Sequence, residues 1–197
     1  ANDHPVKGPI EKREDLKTFV PPDPEAPWRL GILPDLVQHW RGNKAVILHH
    51  RAAFMWSAYL VGLDNLLLYF AADPGFAHEL MDVVVDVNIA MIRRAIRAGA
   101  DIVTLGDDYA HNFAPMMSPA HFEEFVLPRM TKAVDAIHEE GALCIKHSDG
   151  NLWPILDMIV SSGADAINPL EPVAGMDIGK VKELYGHRVC LIGNIDC

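Results

Sequence analysis

The stretch Ala142-Leu-Cys-Ile-Lys-His-Ser-Asp-Gly150, which leads directly into Asn151, carries the pattern on which the fold depends. A short apolar run is followed at once by His147, Ser148 and Asp149, and imidazole and carboxylate groups bind protons and metals. Parallel α/β proteins hold their chemistry at the carboxyl ends of strands. We therefore interpret this stretch as a buried strand with a functional group at its tip.

The same order of apolar run and polar end occurs four more times, at residues 44–50, 101–109, 165–171 and 189–197. Patterns typical of helices separate most of these runs, and they cover residues 73–99, 118–140, 153–163 and 176–185. Apolar strands that alternate with helices predict a parallel sheet buried on both faces.

Polar groups at five strand tips favour a barrel, because an open doubly wound sheet concentrates its ligands at one switch point. A complete (β/α)8 barrel takes about 250 residues, whereas this chain has 197. The prediction is an α/β fold of TIM-barrel type, present as a partial barrel of about five βα units over residues 28–197. Proline-rich residues 1–27 are predicted to lie on its surface. An open flavodoxin-like parallel sheet is the alternative.

The composition limits the partners and the compartment. The chain is 50% hydrophobic, has a formal net charge of −10 and contains no Lys/Arg-rich run, so nucleic acid and anionic membrane surfaces are not expected partners. No apolar stretch predicts a membrane span. Three cysteines do not form the disulfide framework of a secreted protein. We expect a cytoplasmic protein that binds a small molecule or another protein.

His147 and Asp149 are the first candidates for catalysis, because an imidazole and a carboxylate two residues apart suit zinc or a proton relay. The alternative for Asp149 is a turn that caps the following helix. Asp107 and Asp108 follow another strand, and two adjacent carboxylates need a cation, a donor or solvent to stay ionised. We expect one of them to face the site and the other to cap a turn or be solvated.

The remaining strand tips carry amides and carboxylates that suit a polar substrate: Asn168, Glu171, Asn194 and Asp196. Asn194 and Asp196 are equally good turn formers. His49, His50 and Arg51 end the first strand, where the guanidinium would hold a carboxylate or a phosphate.

Four segments in order resemble the uroporphyrinogen decarboxylase superfamily. They are Gly106-Asp-Asp-Tyr-Ala110, Met117-Ser-Pro119 with the helix that follows, His147-Ser-Asp-Gly-Asn151 and Leu191-Ile-Gly-Asn-Ile-Asp196. The resemblance extends over roughly residues 28–197 and implies a (β/α)8 barrel with further strands outside this chain. It also implies one of two activities. Decarboxylases of this superfamily act on a porphyrinogen without a cofactor, and its cobalamin-dependent methyltransferases use zinc and a corrinoid protein.

The motifs of the two branches imply different roles for the same residues. Decarboxylases resemble Asp-Ser-x-Ala-Gly where this chain has Asp107 followed by Asp108, and the resemblance implies substrate contacts for Asp108, Tyr109 and Tyr59. The methyltransferases have a zinc motif of His-x-Cys with a second Cys much later. His147 matches its first position and Asp149 stands at the Cys position.

The second Cys of the zinc motif would lie beyond Cys197, which is itself a candidate thiolate ligand. A carboxylate in place of a thiolate binds zinc with harder ligation and weaker affinity. Without metal, the same carboxylate would donate a proton to a departing phenolate. This feature is similar to corrinoid-dependent demethylases of methoxylated compounds.

Three hypotheses follow. The first is a methyltransferase that moves a methyl group between a small, for example methoxylated, substrate and the cobalamin of a partner corrinoid protein, with His147 on zinc or substrate and Asp107 neutralising the site. The second is cofactor-free porphyrinogen decarboxylation, which needs a basic pocket for many carboxylates. The third is a non-enzymatic binding domain with an acidic pocket.

Overall fold

Five parallel strands form one sheet in the computed structural model, which describes residues 8–195. They are β1 (Ile47–His50), β2 (Ile102–Leu105), β3 (Leu143–His147), β4 (Ala166–Asn168) and β5 (Cys190–Leu191). Their order in the sheet is β1-β2-β3-β4-β5, so the five predicted strands are confirmed. A flavodoxin-like sheet has the order 2-1-3-4-5, and that alternative is therefore wrong. The sequential order is that of a partial (β/α) barrel whose sheet is not closed.

Nine α-helices lie in the part of the chain that the structure describes: α1 (Arg13–Leu16), α2 (Leu33–Trp40), α3 (Phe54–Val61), α4 (Leu63–Ala72), α5 (Pro74–Arg97), α6 (Pro119–His121), α7 (Leu127–Glu139), α8 (Leu156–Ser161) and α9 (Ile178–Tyr185). Short 3-10 turns occur at Pro27–Leu30 and Pro172–Ala174, and a π-helical turn at Phe122–Val126 joins α6 to α7.

Local sequence signals account for several of these bounds. The Asp73 side chain accepts a hydrogen bond from the Phe76 N–H at 3.1 Å and so caps α5, as the predicted helix over residues 73–99 requires. Gly62, with a φ of 93°, separates α3 from α4. Helix α8 begins at Leu156, three residues later than the predicted start, because residues 153–155 form a turn.

The two faces of the sheet differ in their cover. Val103, Leu105 and Cys144 point to the side on which the helices pack, and all three are fully buried. On the other face Ile47 and Leu143 each remain 53% exposed. The prediction of burial on both faces is thus met on one face only within residues 8–195. We call the other face the open face.

Acidic residues at the amino edge of the sheet fix the position of neighbouring strands. The Asp101 carboxylate accepts a hydrogen bond from the Val46 N–H at 2.8 Å, and Asp165 accepts one from the Cys144 N–H at 2.7 Å. His138 contacts the same Asp165 oxygen at 2.9 Å. These contacts secure the strands at the edge opposite to the polar strand tips.

Residues 8–26 lie against α3 and α5. Ile10 is buried and its N–H donates to the Leu60 carbonyl at 2.9 Å, while Arg94 donates to the carbonyls of Pro24 and Ala26. No single helix within residues 8–195 is long and apolar enough to cross a membrane. Helices α3 and α4, which meet at 101°, reach that length and composition only as a bent pair.

Candidate functional site

Alternate residues of each strand place one set of side chains on the open face. His147 pairs with Asn168 across β3 and β4, and His49 pairs with Thr104 across β1 and β2. Because side chains alternate between faces with a period of two, Gly106 belongs to the same set as Thr104. The carboxyl edge of the open face therefore combines two histidines, an amide and a glycine.

A triad of Asp108, His147 and Asp149 stands at this edge. The His147 Nε2 atom lies 3.5 Å from an oxygen of Asp108 and 3.5 Å from an oxygen of Asp149. One ligand atom from each residue falls within 4.8 Å of the others. The Asp149 N–H also donates to Asp108 at 3.3 Å. The structure thus brings together three of the predicted site residues, each from the end of β2 or β3.

In the triad, two carboxylates lie close to each other and to a single imidazole. Partial burial, and then the negative charge of Asp108, raise the pKa of Asp149, whereas His147 acts to lower it. A divalent cation would relieve this repulsion, and an imidazole with two carboxylates is a donor set that zinc accepts. The same three groups also suit proton transfer.

His49 lies beside the triad on β1. Its ring centroid is 6.2 Å from that of His147, and burial together with the neighbouring His147 lowers its pKa. Its Nε2 atom stands directly over Gly106, where a Cβ atom would come within 2.3 Å of it.

Asp107 lies on the opposite side of the sheet from the triad. Its buried carboxylate accepts hydrogen bonds at 3.0 to 3.3 Å from four consecutive N–H groups at the start of α3: Ala52, Ala53, Phe54 and Met55. An anion at the amino end of a helix is stabilised by these free donors and by the helix dipole. The structure therefore does not bring Asp107, a predicted catalytic residue, to the His147 imidazole.

Tyr109 also lies on the helix side, fully buried, with its hydroxyl 3.8 Å from the Met130 sulfur. Burial raises its pKa well above the usual value. The Nζ atom of the buried Lys146 lies 4.2 Å from its ring centroid. This placement keeps Tyr109, a predicted substrate contact, away from the open face.

Lys146 is a buried cation at the strand tips that is not among the predicted site residues. Its ammonium donates to the carbonyls of Leu105 at 3.0 Å and Asp107 at 2.7 Å, and also to that of His147. Burial lowers its pKa to about 8. The lysine thereby ties the tip of β2 to the tip of β3. The sequence feature that could have identified Lys146 is a lysine within an otherwise apolar strand.

The other predicted residues lie at the end of β4 and in the loops around the triad. The Asn168 side-chain oxygen is buried and has no hydrogen-bond partner among residues 8–195. Glu171 accepts the Gly150 N–H at 2.6 Å. Asn194 donates to the carbonyls of Leu170 and Met176, both at 2.7 Å, and so holds the loop after β4.

Tyr59, a predicted substrate contact, lies away from the triad. Tyr59 is on α3, where its ring is 5.7 Å from the Arg51 guanidinium, and Arg51 itself donates to the Gly106 carbonyl. Asp196 and Cys197 lie outside the described residues.

The protein is of the (β/α)-barrel class, with polar groups at the carboxyl edge of its strands. The model of the family "Uroporphyrinogen decarboxylase (URO-D)" matches residues 3–197. The chain therefore belongs to the URO-D family, and the resemblance seen in the sequence is confirmed.

Curated relatives and a solved structure agree with this assignment. The uroporphyrinogen decarboxylases of Actinobacillus pleuropneumoniae serotype 5b and Colwellia psychrerythraea are 26% and 27% identical over 205 and 203 residues. In both comparisons, 95% of this chain covers 54% of the relative, so the chain spans about half of their length. A methyltransferase from Methanosarcina mazei superposes with a TM-score of 0.82 at 21% identity, over 95% of this chain and 55% of that one. This likeness confirms the fold.

Proposed function

We propose that the protein is a methyltransferase of the URO-D family that moves a methyl group between a small methoxylated substrate and the cobalamin of a partner corrinoid protein. The observation that carries the proposal is the triad of Asp108, His147 and Asp149, whose ligand atoms lie within 4.8 Å of one another. The triad would hold zinc through one nitrogen and two oxygens, which leaves a coordination position for substrate. A bound zinc ion would act as a Lewis acid on the substrate oxygen.

The side chains around the triad have separate tasks in this proposal. The unpartnered oxygen of Asn168 would accept a hydrogen bond from the substrate. Glu171 and Asn194 would keep the surrounding loops in place through the backbone contacts described above. Asp107 and Lys146 would hold the strand tips from the helix side, without contact with substrate.

The groups at the triad support the proposed substrate class. Demethylation would break the CH3–O bond of the substrate, with the methyl group taken up by the cob(I)alamin of the partner and the oxyanion left on the substrate taking up a proton. The raised pKa makes Asp149 a better proton donor to that oxyanion than an ordinary carboxyl group, if no metal is bound. The name of the Methanosarcina mazei neighbour, a methyltransferase, also supports this branch of the family.

Decarboxylation of a porphyrinogen is the second candidate, because the curated relatives carry that name. Such a substrate bears many carboxylates and needs a basic pocket. One basic group among the described strand tips is the Arg51 guanidinium, which already contacts the Gly106 carbonyl and the Tyr59 ring. The triad itself contains two carboxylates and is acidic. These contacts favour the methyltransferase.

Metal content and two activity assays on the purified protein test the proposal. We expect one zinc per chain, and methylcobalamin formed from cob(I)alamin and a methoxylated aromatic compound. Both should be lost in His147→Ala and kept in His187→Ala, which removes an exposed histidine near the amino end of β5. Decarboxylation of uroporphyrinogen by a metal-free protein would support the second candidate instead. A protein with neither zinc nor methyl transfer would overturn the proposal and leave the binding domain as a hypothesis.

A further inference from the structure

We infer that His49 is a second imidazole ligand of the proposed metal centre, so that the metal is held by His49, His147 and the carboxylates of Asp108 and Asp149. The inference rests on the proposed function, because it presupposes a metal at the triad. It adds a ligand from a strand that contributes nothing to the triad itself.

The first support is the distance between the two imidazoles. His49 is on β1 and His147 is on β3, with β2 between them. Strands separated by one other strand lie about 9–10 Å apart, yet the two ring centroids are only 6.2 Å apart. The His49 side chain therefore leans over the intervening strand, where its Nε2 atom stands over Gly106.

The second support is the residue that stands between them. A Cβ atom on Gly106 would lie 2.3 Å from the Nε2 atom of His49. Gly106 does not have a positive φ, so its backbone conformation is open to any residue. The close approach of the His49 ring is the feature that only glycine permits at this position.

The third support is that the His49 ring nitrogens have no hydrogen-bond partner among the described residues. Within residues 8–195, neither ring nitrogen of His49 makes a hydrogen bond. The neighbouring His50, in contrast, accepts from the Arg51 N–H at 2.9 Å on the helix side of the sheet. His49 therefore presents a free imidazole on the face that carries the triad.

The two imidazoles are only slightly farther apart than two ligands of one zinc ion would be. Two imidazoles bound to one tetrahedral zinc, with Zn–N bonds of about 2.0–2.1 Å, have ring centroids about 5 Å apart. The observed 6.2 Å therefore calls for the two centroids to approach by about 1 Å, which a rotation of the His49 side chain would have to supply on metal binding. With His49 as a fourth protein ligand, the substrate oxygen would bind zinc as a fifth ligand, a coordination number that catalytic zinc sites sometimes reach.

Zinc affinity of the whole protein, measured by competition with a chromophoric chelator, tests the inference. The variants are His49→Gln, Gly106→Ala, His147→Ala and, as the control, His187→Gln. We expect at least about a 10–100-fold loss of affinity in His49→Gln, since even residues behind the ligands cost that much. Gly106→Ala should weaken binding as well, because the added methyl displaces the His49 ring. The control should bind zinc like the wild type.

The visible spectrum of the Co2+-substituted protein gives a second readout, because it reports the ligands directly. A changed spectrum in His49→Gln, with unchanged far-UV circular dichroism, supports ligation. Wild-type affinity and spectrum in His49→Gln would overturn this inference and leave the triad and the proposed function intact. A wild-type protein that binds no zinc would overturn the metal centre and this inference together.

Discussion

At the scale of single residues, the geometry of the triad depends on a glycine. Gly150 follows Asp149 directly, has a φ of 87° and lies so close to the loop after β2 that a Cβ atom would be 2.6 Å from the Ala110 carbonyl. The Asn151 N–H donates to the His111 carbonyl at 2.8 Å in the same contact. The chain after β3 is thus packed, backbone against backbone, on the chain after β2.

Gly150→Ala should destabilise the protein by two separable effects. Left-handed backbone costs an alanine about 1–2 kcal/mol, and the clash with Ala110 adds about 1–3 kcal/mol of overpacking. Gly141→Ala is the matched control, because Gly141 has a φ of 83° and open space around its Cα. Urea denaturation should show a clearly greater loss of unfolding free energy for Gly150→Ala. Equal losses would mean that the loop moves aside without cost.

At the scale of strands and helices, the side on which a residue lies decides its role. Residues 103, 105, 107 and 109 alternate with 104, 106 and 108, and the buried Val103 and Leu105 already mark the odd numbers as the helix side. By the same alternation along β3, Lys146 lies on the helix side, whereas His147 and Asp149 lie on the open face. The sequence could therefore have assigned Asp107 to the helix side.

The sequence predicted the five strands, their polar tips and the pairing of His147 with Asp149, because these follow from local pattern and spacing. It could not predict that Asp108 approaches His147 from another strand, or that Gly106 makes room for His49. Those contacts depend on the register between strands, which pairs His49 with Thr104. Register is set by packing across the whole sheet rather than by any short segment.

Asp107→Asn should weaken the attachment of α3 to the sheet. The charged carboxylate accepts four backbone N–H groups, and an amide of the same size accepts fewer of them and without the charge. We expect a loss of about 1–3 kcal/mol in unfolding free energy. Asp177→Asn is the control, because Asp177 caps α9 at an exposed position through two N–H groups, and asparagine caps helices about as well as aspartate, so the loss should be less than about 0.5 kcal/mol. Comparable losses would contradict a special role of Asp107 in the fold.

At the scale of the whole molecule, the open face is the side of the sheet with least cover. The chain spans about half of its curated relatives, and β1 and β5 are the two edges of the described sheet. Ile47 on β1 and Leu143 on β3 stay half exposed there. In a protein of the relatives' length, we expect further strands to pair with these edges and to cover this face.

Two cysteines lie on opposite faces of the sheet. Cys144 points to the helices and is fully buried, and burial raises the pKa of its thiol to about 12. At pH 8 the thiolate fraction of such a thiol is on the order of 1 in 10,000, and the thiolate is the reactive form. Cys190 is exposed on β5.

In a Cys197→Ser background of the 197-residue chain, we expect Cys190 to react with a thiol reagent at pH 8 and Cys144 to react only after denaturation. Cys190→Ser provides the control, since it leaves Cys144 as the single thiol. In a protein of the relatives' length with further strands paired to these edges, Cys190 should become slow to react, because its side of the sheet would then be enclosed. Fast reaction of native Cys144 would contradict the described packing of α7 on the sheet, and unchanged reactivity of Cys190 in the longer protein would mean that this face stays open.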